Sequence, residues 1–194
     1  MQLVRKGRRS PGGRARGRGV TLVELMVTLA IAAILVMLAV PSFRNITLSN
    51  RLTTAANQVV DAINVARVEA VKRNNFVQLC GSSAALNASG TLGTACGSTS
   101  GAVIALGVDS SGNVTADSIQ NSPPGIGTPV QLSGNFTALR FNGQGLGAQA
   151  GTSAPYTGNV ALICTASFNG DNRRLISIVA GSIVKVTSSA GACP

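Results

Sequence analysis

Few residues in this chain have side chains that could carry catalytic chemistry. The sequence contains no histidine, which excludes a Ser-His-Asp triad and a Cys-His pair. No CxxC spacing or glycine-rich loop followed by a helix suggests a metal or phosphate site. A pair of carboxylates for glycoside hydrolysis is disfavoured, because the acids beyond residue 50 are few and two of them fall on a predicted helix. We therefore expect no enzyme activity, no cofactor and no metal. The acids beyond residue 50 are Asp61, Glu69, Asp109, Asp117 and Asp171.

One acid stands out because of its surroundings. Glu24 is the only charged residue between Val20 and Phe43. Residues 20–40 read VTLVELMVTLAIAAILVMLAV, and as a helix they would span about 31 Å, the thickness of the hydrocarbon core of a bilayer. A plain signal anchor is the simple alternative, but a carboxylate within a membrane segment is costly and usually marks a function.

A basic stretch precedes this apolar segment. Residues 1–19 hold seven Lys or Arg and no acid, whereas the rest of the chain holds nine against six, a net charge of +3. The positive-inside rule predicts that the basic stretch stays in the cytoplasm and that the remainder is exported. The overall charge of +10 and the pI of 11.1 therefore describe mainly residues 1–19, and they are poor evidence for binding to nucleic acid.

The junction between these segments resembles a known processing site. The stretch GVTLVELMV, residues 19–27, is similar to the class III leader junction of type IV pilins and type II secretion pseudopilins. The resemblance implies that a prepilin peptidase removes residues 1–19 by cutting after Gly19 and that it N-methylates Val20. Glu24 becomes the fifth residue of the mature chain. The family's usual first residue is Phe, so Val20 is a departure.

Glu24 has a specific expected role in that setting. A buried carboxylate is tolerated when it is paired, and the free amine of Val20, on the same or a neighbouring subunit, is the natural partner. Our hypothesis is that Glu24 drives docking into a helical filament and sets the axial register.

The helix is predicted to continue well beyond the apolar segment, over residues 20–75, with residues 20–40 spanning the membrane. Pro41 falls where the family's helix commonly carries a proline, and its missing backbone donor predicts a bend near Met37 to Pro41. Apolar residues then recur at spacings of three and four, which predicts one face packed on a sheet. That stripe consists of Leu48, Leu52, Ala55, Val59, Ile63, Ala66 and Ala70.

Residues 76–194 are rich in glycine and short β-branched runs, which predicts a small antiparallel β-sheet head domain exported to the periplasm or the cell surface. Ala180-Gly181-Ser182 is short enough for a tight hairpin. Residues 81–100 and 142–158 are predicted as long loops. The predicted strands are 76–80, 102–108, 137–141, 159–165, 174–180 and 183–187.

Three further stretches narrow the resemblance. ARVEAVKRN at 66–74 followed by Val77 and Cys80, LRFNGQG at 139–145, and RRLISI at 173–178 are similar to the GspH/FimT family of minor pilins and pseudopilins, which includes FimU-like proteins. The resemblance implies the α+β pilin fold, with a long amino-terminal helix packed on the β-sheet head.

All four cysteines lie in the predicted exported part, where an oxidising compartment favours two disulfide bridges. Three pairings are possible. We prefer Cys80 with Cys96 and Cys164 with Cys193, because each bridge would tether an otherwise loose segment, the first loop and the carboxyl-terminal tail.

The leading functional prediction is a minor subunit of a bacterial type IV pilus, near the tip, where it helps to start assembly. Its expected partners are other major and minor pilins, the prepilin peptidase and the inner-membrane assembly platform. The chain would sit in the inner membrane with its amino terminus in the cytoplasm before it reaches the periplasm and the cell-surface pilus. A minor pseudopilin of type II secretion is a close alternative.

A DNA-binding competence pilin of the FimT type is the other alternative. Family members implicated in DNA uptake carry Gly-Arg-x-Arg near the carboxyl end, and this chain has GSIVK at 181–185 instead. Phosphate contacts could still come from other cations, but the chain has little aromatic surface for base stacking. The candidate DNA contacts are Arg140, Arg173, Arg174 and Lys185.

Overall fold

The computed structural model describes residues 19–168 and 170–193, so most of the predicted leader lies outside the described residues. The described residues divide into two units, one that ends at Ser42 and one that begins at Phe43. A long amino-terminal helix and small antiparallel sheets make it an α+β protein with the pilin fold, as the sequence predicts.

The long helix, α1, runs from Leu22 to Arg73. It begins where the hydroxyl of Thr21 accepts a hydrogen bond from the backbone N–H of Glu24 at 3.2 Å, which satisfies one of the unpaired donors of the first turn. It ends just before Asn74, which adopts a left-handed backbone conformation with φ of 48°. These two local signals place the ends about two residues inside the predicted bounds. Pro41 lies inside the helix, and the bend there stays a prediction.

The first unit contains the apolar part of α1. Its described side chains are all exposed, and the helix is long and apolar enough to cross a membrane by length and composition. A helix that is apolar on every side needs a non-aqueous environment around it.

The second unit contains two antiparallel sheets. The first has five strands in the order β3-β2-β1-β5-β6, and the second has four in the order β4-β7-β8-β9. A short helix, α2, lies between β1 and β2. The bounds are β1 Val77–Leu79, α2 Thr91–Cys96, β2 Val103–Val108, β3 Val114–Gln120, β4 Gln131–Leu132, β5 Leu139–Phe141, β6 Gly147–Gln149, β7 Gly158–Cys164, β8 Arg173–Val179 and β9 Ile183–Ser189.

One face of α1 forms the core with both sheets. Alanines are frequent on that face, and they let the helix axis approach the strands closely. Leu48, which the sequence places on the stripe, is only half-buried, while Ala56 and Ala62 join the buried face. The buried helix residues are Leu52, Ala55, Ala56, Val59, Ala62, Ile63, Ala66 and Ala70, and they share one cluster with Leu79, Phe141, Ile163, Ile176 and Ile178 of the sheets.

The predicted loops are wrong in part. Residues 81–100 contain α2, and residues 142–158 contain β6. Strands β3 and β4 also lie outside the predicted strands, because β3 has no fully buried residue and β4 has only two residues. The tight turn between β8 and β9 is present: the Ser182 N–H donates to the Val179 carbonyl at 3.1 Å, and φ is 50° at Ala180 and 67° at Gly181, the positive values of the central residues of a type I′ turn.

Two arginines attach α1 to the second sheet. Arg174, only 7% exposed, donates from Nη2 to the Ser49 hydroxyl at 3.2 Å. Arg67 lies over the ring of Phe141 at 5.8 Å and donates to the carbonyl of Ser182 in the β8–β9 turn. Both cations therefore hold strands against the helix through neutral partners.

A small ion-pair network ties the carboxyl end of α1 to β3. Glu69 accepts hydrogen bonds from Arg73 Nε at 3.0 Å and Lys72 Nζ at 3.1 Å, and Arg73 Nη1 also lies 2.8 Å from the Asp117 carboxylate. The hydrogen bonds from Arg73 and Lys72 hold the pKa of Glu69 below its ordinary value of 4.5.

This lowered pKa predicts a pH-dependent contribution to stability. A carboxyl whose pKa is lower in the folded chain stabilises it above the unfolded value and loses that effect as the pH falls through the folded value. We expect Glu69→Gln to lower the free energy of unfolding by about 0.5 kcal/mol at pH 7. The difference from wild type should shrink below pH 4.5.

Urea unfolding of the chain in mild detergent can measure this, because Tyr156 is the single tyrosine and the chain has no tryptophan. Its fluorescence therefore reports the head alone. Asp61→Asn is the matched control, since Asp61 lies on the same helix and has no ion-pair partner in the part of the chain that the structure describes. A Glu69→Gln difference that is constant from pH 7 to pH 3 would contradict the prediction.

Candidate assembly site at the start of the helix

Glu24 lies in the first turn of α1, three residues after the capping residue Thr21. Thr-x-x-Glu is the spacing of a capping box, in which the Glu side chain also bonds back to the capping residue. That second bond is absent: within residues 19–168 and 170–193 the Glu24 carboxylate makes no hydrogen bond or ion pair. The carboxylate is therefore free to bind a group on another molecule.

Sequence reasoning missed Thr21, although the signal was present. A threonine three residues before a glutamate at the start of an apolar run is a recognised sign of a helix amino terminus. The cap has a functional consequence, because it fixes the position of Glu24 in the first turn. A negative charge there also interacts favourably with the positive end of the helix dipole.

The predicted cleavage site directly precedes the cap. Gly19 and Val20 are exposed and lie outside the helix, and a Cβ placed on Gly19 would have no atom within 4 Å. An accessible backbone outside regular structure suits a protease substrate. Cleavage and methylation stay predictions, and they would put a new amine four residues before Glu24.

The side chains around Glu24 are apolar and exposed. Leu22 is 73% exposed and Leu25 is 54% exposed. When such a surface leaves water, an unpaired carboxylate beside it becomes expensive, and a cationic partner restores most of the lost stabilisation. The arrangement therefore favours association with a partner that brings a positive charge to this turn.

The disulfides lie in the second unit. The structure pairs Cys80 with Cys96 and Cys164 with Cys193, with Cα atoms 5.4 Å and 5.7 Å apart. This is the pairing preferred from the sequence. Among the described residues no cluster of three or more metal-ligating side chains is found.

The four candidate DNA contacts are divided between the two sheets. Arg140 is on β5 of the first sheet, while Arg173, Arg174 and Lys185 are on β8 and β9 of the second. Arg174 is buried against α1. Lys185 lies opposite Ser177, four residues along β8 from Arg173. Three of the four therefore share the β8–β9 pair, but Arg174 is turned against α1, and Arg140 lies on the other sheet, so the four do not form one patch.

Two family models of known proteins match this chain. A family model described as type II transport protein GspH matches residues 55–182, about two thirds of the chain. A second model, the prokaryotic N-terminal methylation motif, matches residues 14–40 and so contains Gly19, Val20 and Glu24. No match was found among curated proteins or among solved structures.

Pilins and pseudopilins are structural subunits that assemble with one another into filaments, and an exposed apolar helix with a methylation motif fits a membrane-anchored member of this class. The chain belongs to the GspH family and is a minor pilin or pseudopilin.

Proposed function

We propose that this chain is a minor subunit of a type IV pilus and acts in the tip complex that starts pilus assembly. Prepilin peptidase cuts after Gly19 and methylates the amine of Val20. The observation that carries the proposal is the carboxylate of Glu24, which has no partner in the described chain and lies one turn into an exposed apolar helix.

Before assembly, the subunit spans the inner membrane once. The seven basic residues of the leader hold the amino terminus in the cytoplasm. The head faces the periplasm, where both disulfides can form.

During assembly, the apolar helix leaves the lipid and packs among the helices of neighbouring pilins. Glu24 pairs with the amine of Val20, and this contact sets the axial register because one charged pair in an apolar bundle has few acceptable positions. The assembly platform in the inner membrane brings the subunit to the neighbouring pilins.

A minor pseudopilin of a type II secretion system is the second candidate. The observation that favours it is the match of residues 55–182 to the model described as type II transport protein GspH. The helix and Glu24 have the same role in both assemblies, so the residues of this subunit do not distinguish a pilus from a pseudopilus.

A gene deletion in the source bacterium tests the proposal. We expect loss of surface pili with normal protein secretion, and restoration of pili by the wild-type gene. Mass spectrometry of the restored subunit should find a mature chain that starts at N-methylated Val20.

Complementation with Gly19→Val is the matched control, since this variant should stay uncleaved and should not restore pili. Loss of secretion with normal pili would favour the pseudopilin instead. Normal pili and normal secretion together with an unprocessed chain would contradict both candidates.

A further inference from the structure

The outer face of the five-stranded sheet, which points away from α1, is only partly covered. Leu79, Leu139 and Phe141 face the helix and are buried in the core, so the alternating residues Gln78 and Arg140 face outward. The segment around α2 covers one part of this face, where Leu92 and Cys96 pack on β2. The other part is open.

Two small cavities flank Phe76 and Arg140 on this open part. One of about 140 Å³ is bordered by α2, and the other of about 210 Å³ lies beside β6 and the residues that follow it. Phe76 is 48% exposed. Arg140 is the only charged residue among those that line either cavity, and the others include Leu92, Leu106, Leu146, Ala148 and Pro155.

A buried amide network holds Arg140 in place. Its Nε and Nη2 donate to the Gln78 side-chain carbonyl at 3.1 and 2.7 Å. The Gln78 amide in turn donates to the Asn87 backbone carbonyl at 3.0 Å, and the Asn87 side chain accepts from the Gly81 N–H at 2.6 Å. Gln78 and Asn87 are fully buried. The guanidinium is therefore ordered before any ligand arrives, which lowers the entropy loss on binding.

The charge of Arg140 is not balanced inside the described chain. The ion pairs there join Glu69 with Lys72 and Arg73, and Arg73 with Asp117, and none involves Arg140. Gln78 is a neutral partner. The Arg140 Nη1 makes no hydrogen bond within the described residues, and this atom is not buried. Burial lowers the pKa of this guanidinium. A half-buried cation with donors to spare gains most from an anionic ligand.

We propose that Arg140 anchors a binding site for an acidic side chain of another protein, presented on an extended segment that crosses this face. The Asp or Glu carboxylate binds the open edge of the guanidinium, and the apolar side chains next to it fill the two cavities beside Phe76. Arginine and aromatic residues with small apolar pockets around them are the usual centres of protein interfaces.

The geometry favours a protein ligand over nucleic acid. A nucleic acid strand needs several cations along its backbone, and the cavities here contain a single one. The apolar part of each lining suits an aliphatic side chain, and the serine, threonine and asparagine residues beside it can bond to a peptide backbone. The site does not depend on which filament the subunit enters.

Nuclear magnetic resonance of the ¹⁵N-labelled mature chain in detergent tests this site. The probe is the peptide acetyl-Leu-Asp-Leu-amide, and acetyl-Leu-Asn-Leu-amide is its neutral counterpart. The Arg140 Nε–Hε signal, identified by its absence from Arg140→Gln, should shift to saturation with a Kd of about 1 mM. We expect binding of the neutral peptide to be at least about tenfold weaker.

Arg140→Lys keeps the charge but loses the planar fork, and we expect its affinity to fall about tenfold. Backbone signals of Ala148 and Thr152 report binding in this variant. Lys185→Gln removes one charge from the other sheet and should bind as wild type does. The urea midpoint from Tyr156 fluorescence confirms that each variant is folded.

Three results would overturn the proposal. They are equal affinity for the acidic and neutral peptides, no shift at about 20 mM acidic peptide, and stronger binding of a thymidine oligonucleotide at the same Arg140 signal.

Discussion

A Glu24→Val variant is expected to be made, processed and inserted into the membrane at wild-type levels but to be missing from filaments. Val fits an apolar helix surface better than Glu does, so membrane insertion is not impaired. The loss arises because the amine of Val20 would be buried without its partner. Breaking a buried charged pair costs about 3–5 kcal/mol, which corresponds to at least a hundredfold loss of affinity between subunits.

The measurement is the amount of the subunit in sheared filaments relative to the amount in the inner membrane. Thr28→Val is the matched control, because Thr28 lies one turn further along the helix and its hydroxyl only bonds to the carbonyl of Leu25 in its own helix. This control should assemble normally. Glu24→Gln separates charge from hydrogen bonding, and it should assemble poorly if the charge is what matters. Wild-type amounts of Glu24→Val in filaments would refute the role assigned to Glu24.

Removing the Cys80–Cys96 bridge is expected to destabilise the head more than removing Cys164–Cys193. Loop entropy alone predicts the opposite order, because the sequence separations are 16 and 29 residues and the longer loop should gain about 0.5 kcal/mol more. Burial reverses it. The first bridge holds a cluster that includes Leu92 and Ile104, and one such side chain contributes about 1.5–3 kcal/mol when buried.

The second bridge holds a tail whose residues 190–192 are exposed and which also binds Asn172 through Gly191. Without the bridge this tail can fray in the folded protein, and the folded state then recovers part of the freedom that the unfolded chain gains. We expect Cys80→Ala/Cys96→Ala to lower the free energy of unfolding by about 3–5 kcal/mol. The corresponding loss for Cys164→Ala/Cys193→Ala should be about 1–2 kcal/mol.

Urea unfolding followed by Tyr156 fluorescence gives both values. Each pair is replaced together, so that no free thiol remains to form a wrong bridge. Equal losses, or a larger loss for the tail bridge, would show that loop entropy outweighs the cluster beneath α2.

The parts of the fold that were predictable are those with a strong periodic pattern. The helix stripe from Leu52 to Ala70 repeats every three or four residues, and strands such as β8 alternate regularly between the core and the outside. The pattern fails for β3, an edge strand without a fully buried residue, in which the exposed Asp117 and Ser118 interrupt the alternation. It also fails for α2, because six residues with a central glycine, Gly93, give no helical periodicity.

The same distinction applies to the functional residues. Glu24 was identifiable because a single charge within an apolar run is visible in the sequence itself. The environment of Arg140 was not, because it depends on strand register, which puts Gln78 beside Arg140. It also depends on Asn87, which reaches Gln78 from a segment without regular structure. Side chains brought together by tertiary contacts leave no local signal.

The uncovered apolar turns of α1 have a thermodynamic consequence for the proposed assembly step. Lipid surrounds this surface before assembly and other helices surround it afterwards, so water leaves it in neither step. The hydrophobic effect then nearly cancels between the two states. The heat-capacity change for that part of the reaction should be small, since a large negative value accompanies transfer out of water. Filament growth on this view resembles the association of helices within a bilayer, where close packing and polar pairs decide which neighbour is accepted.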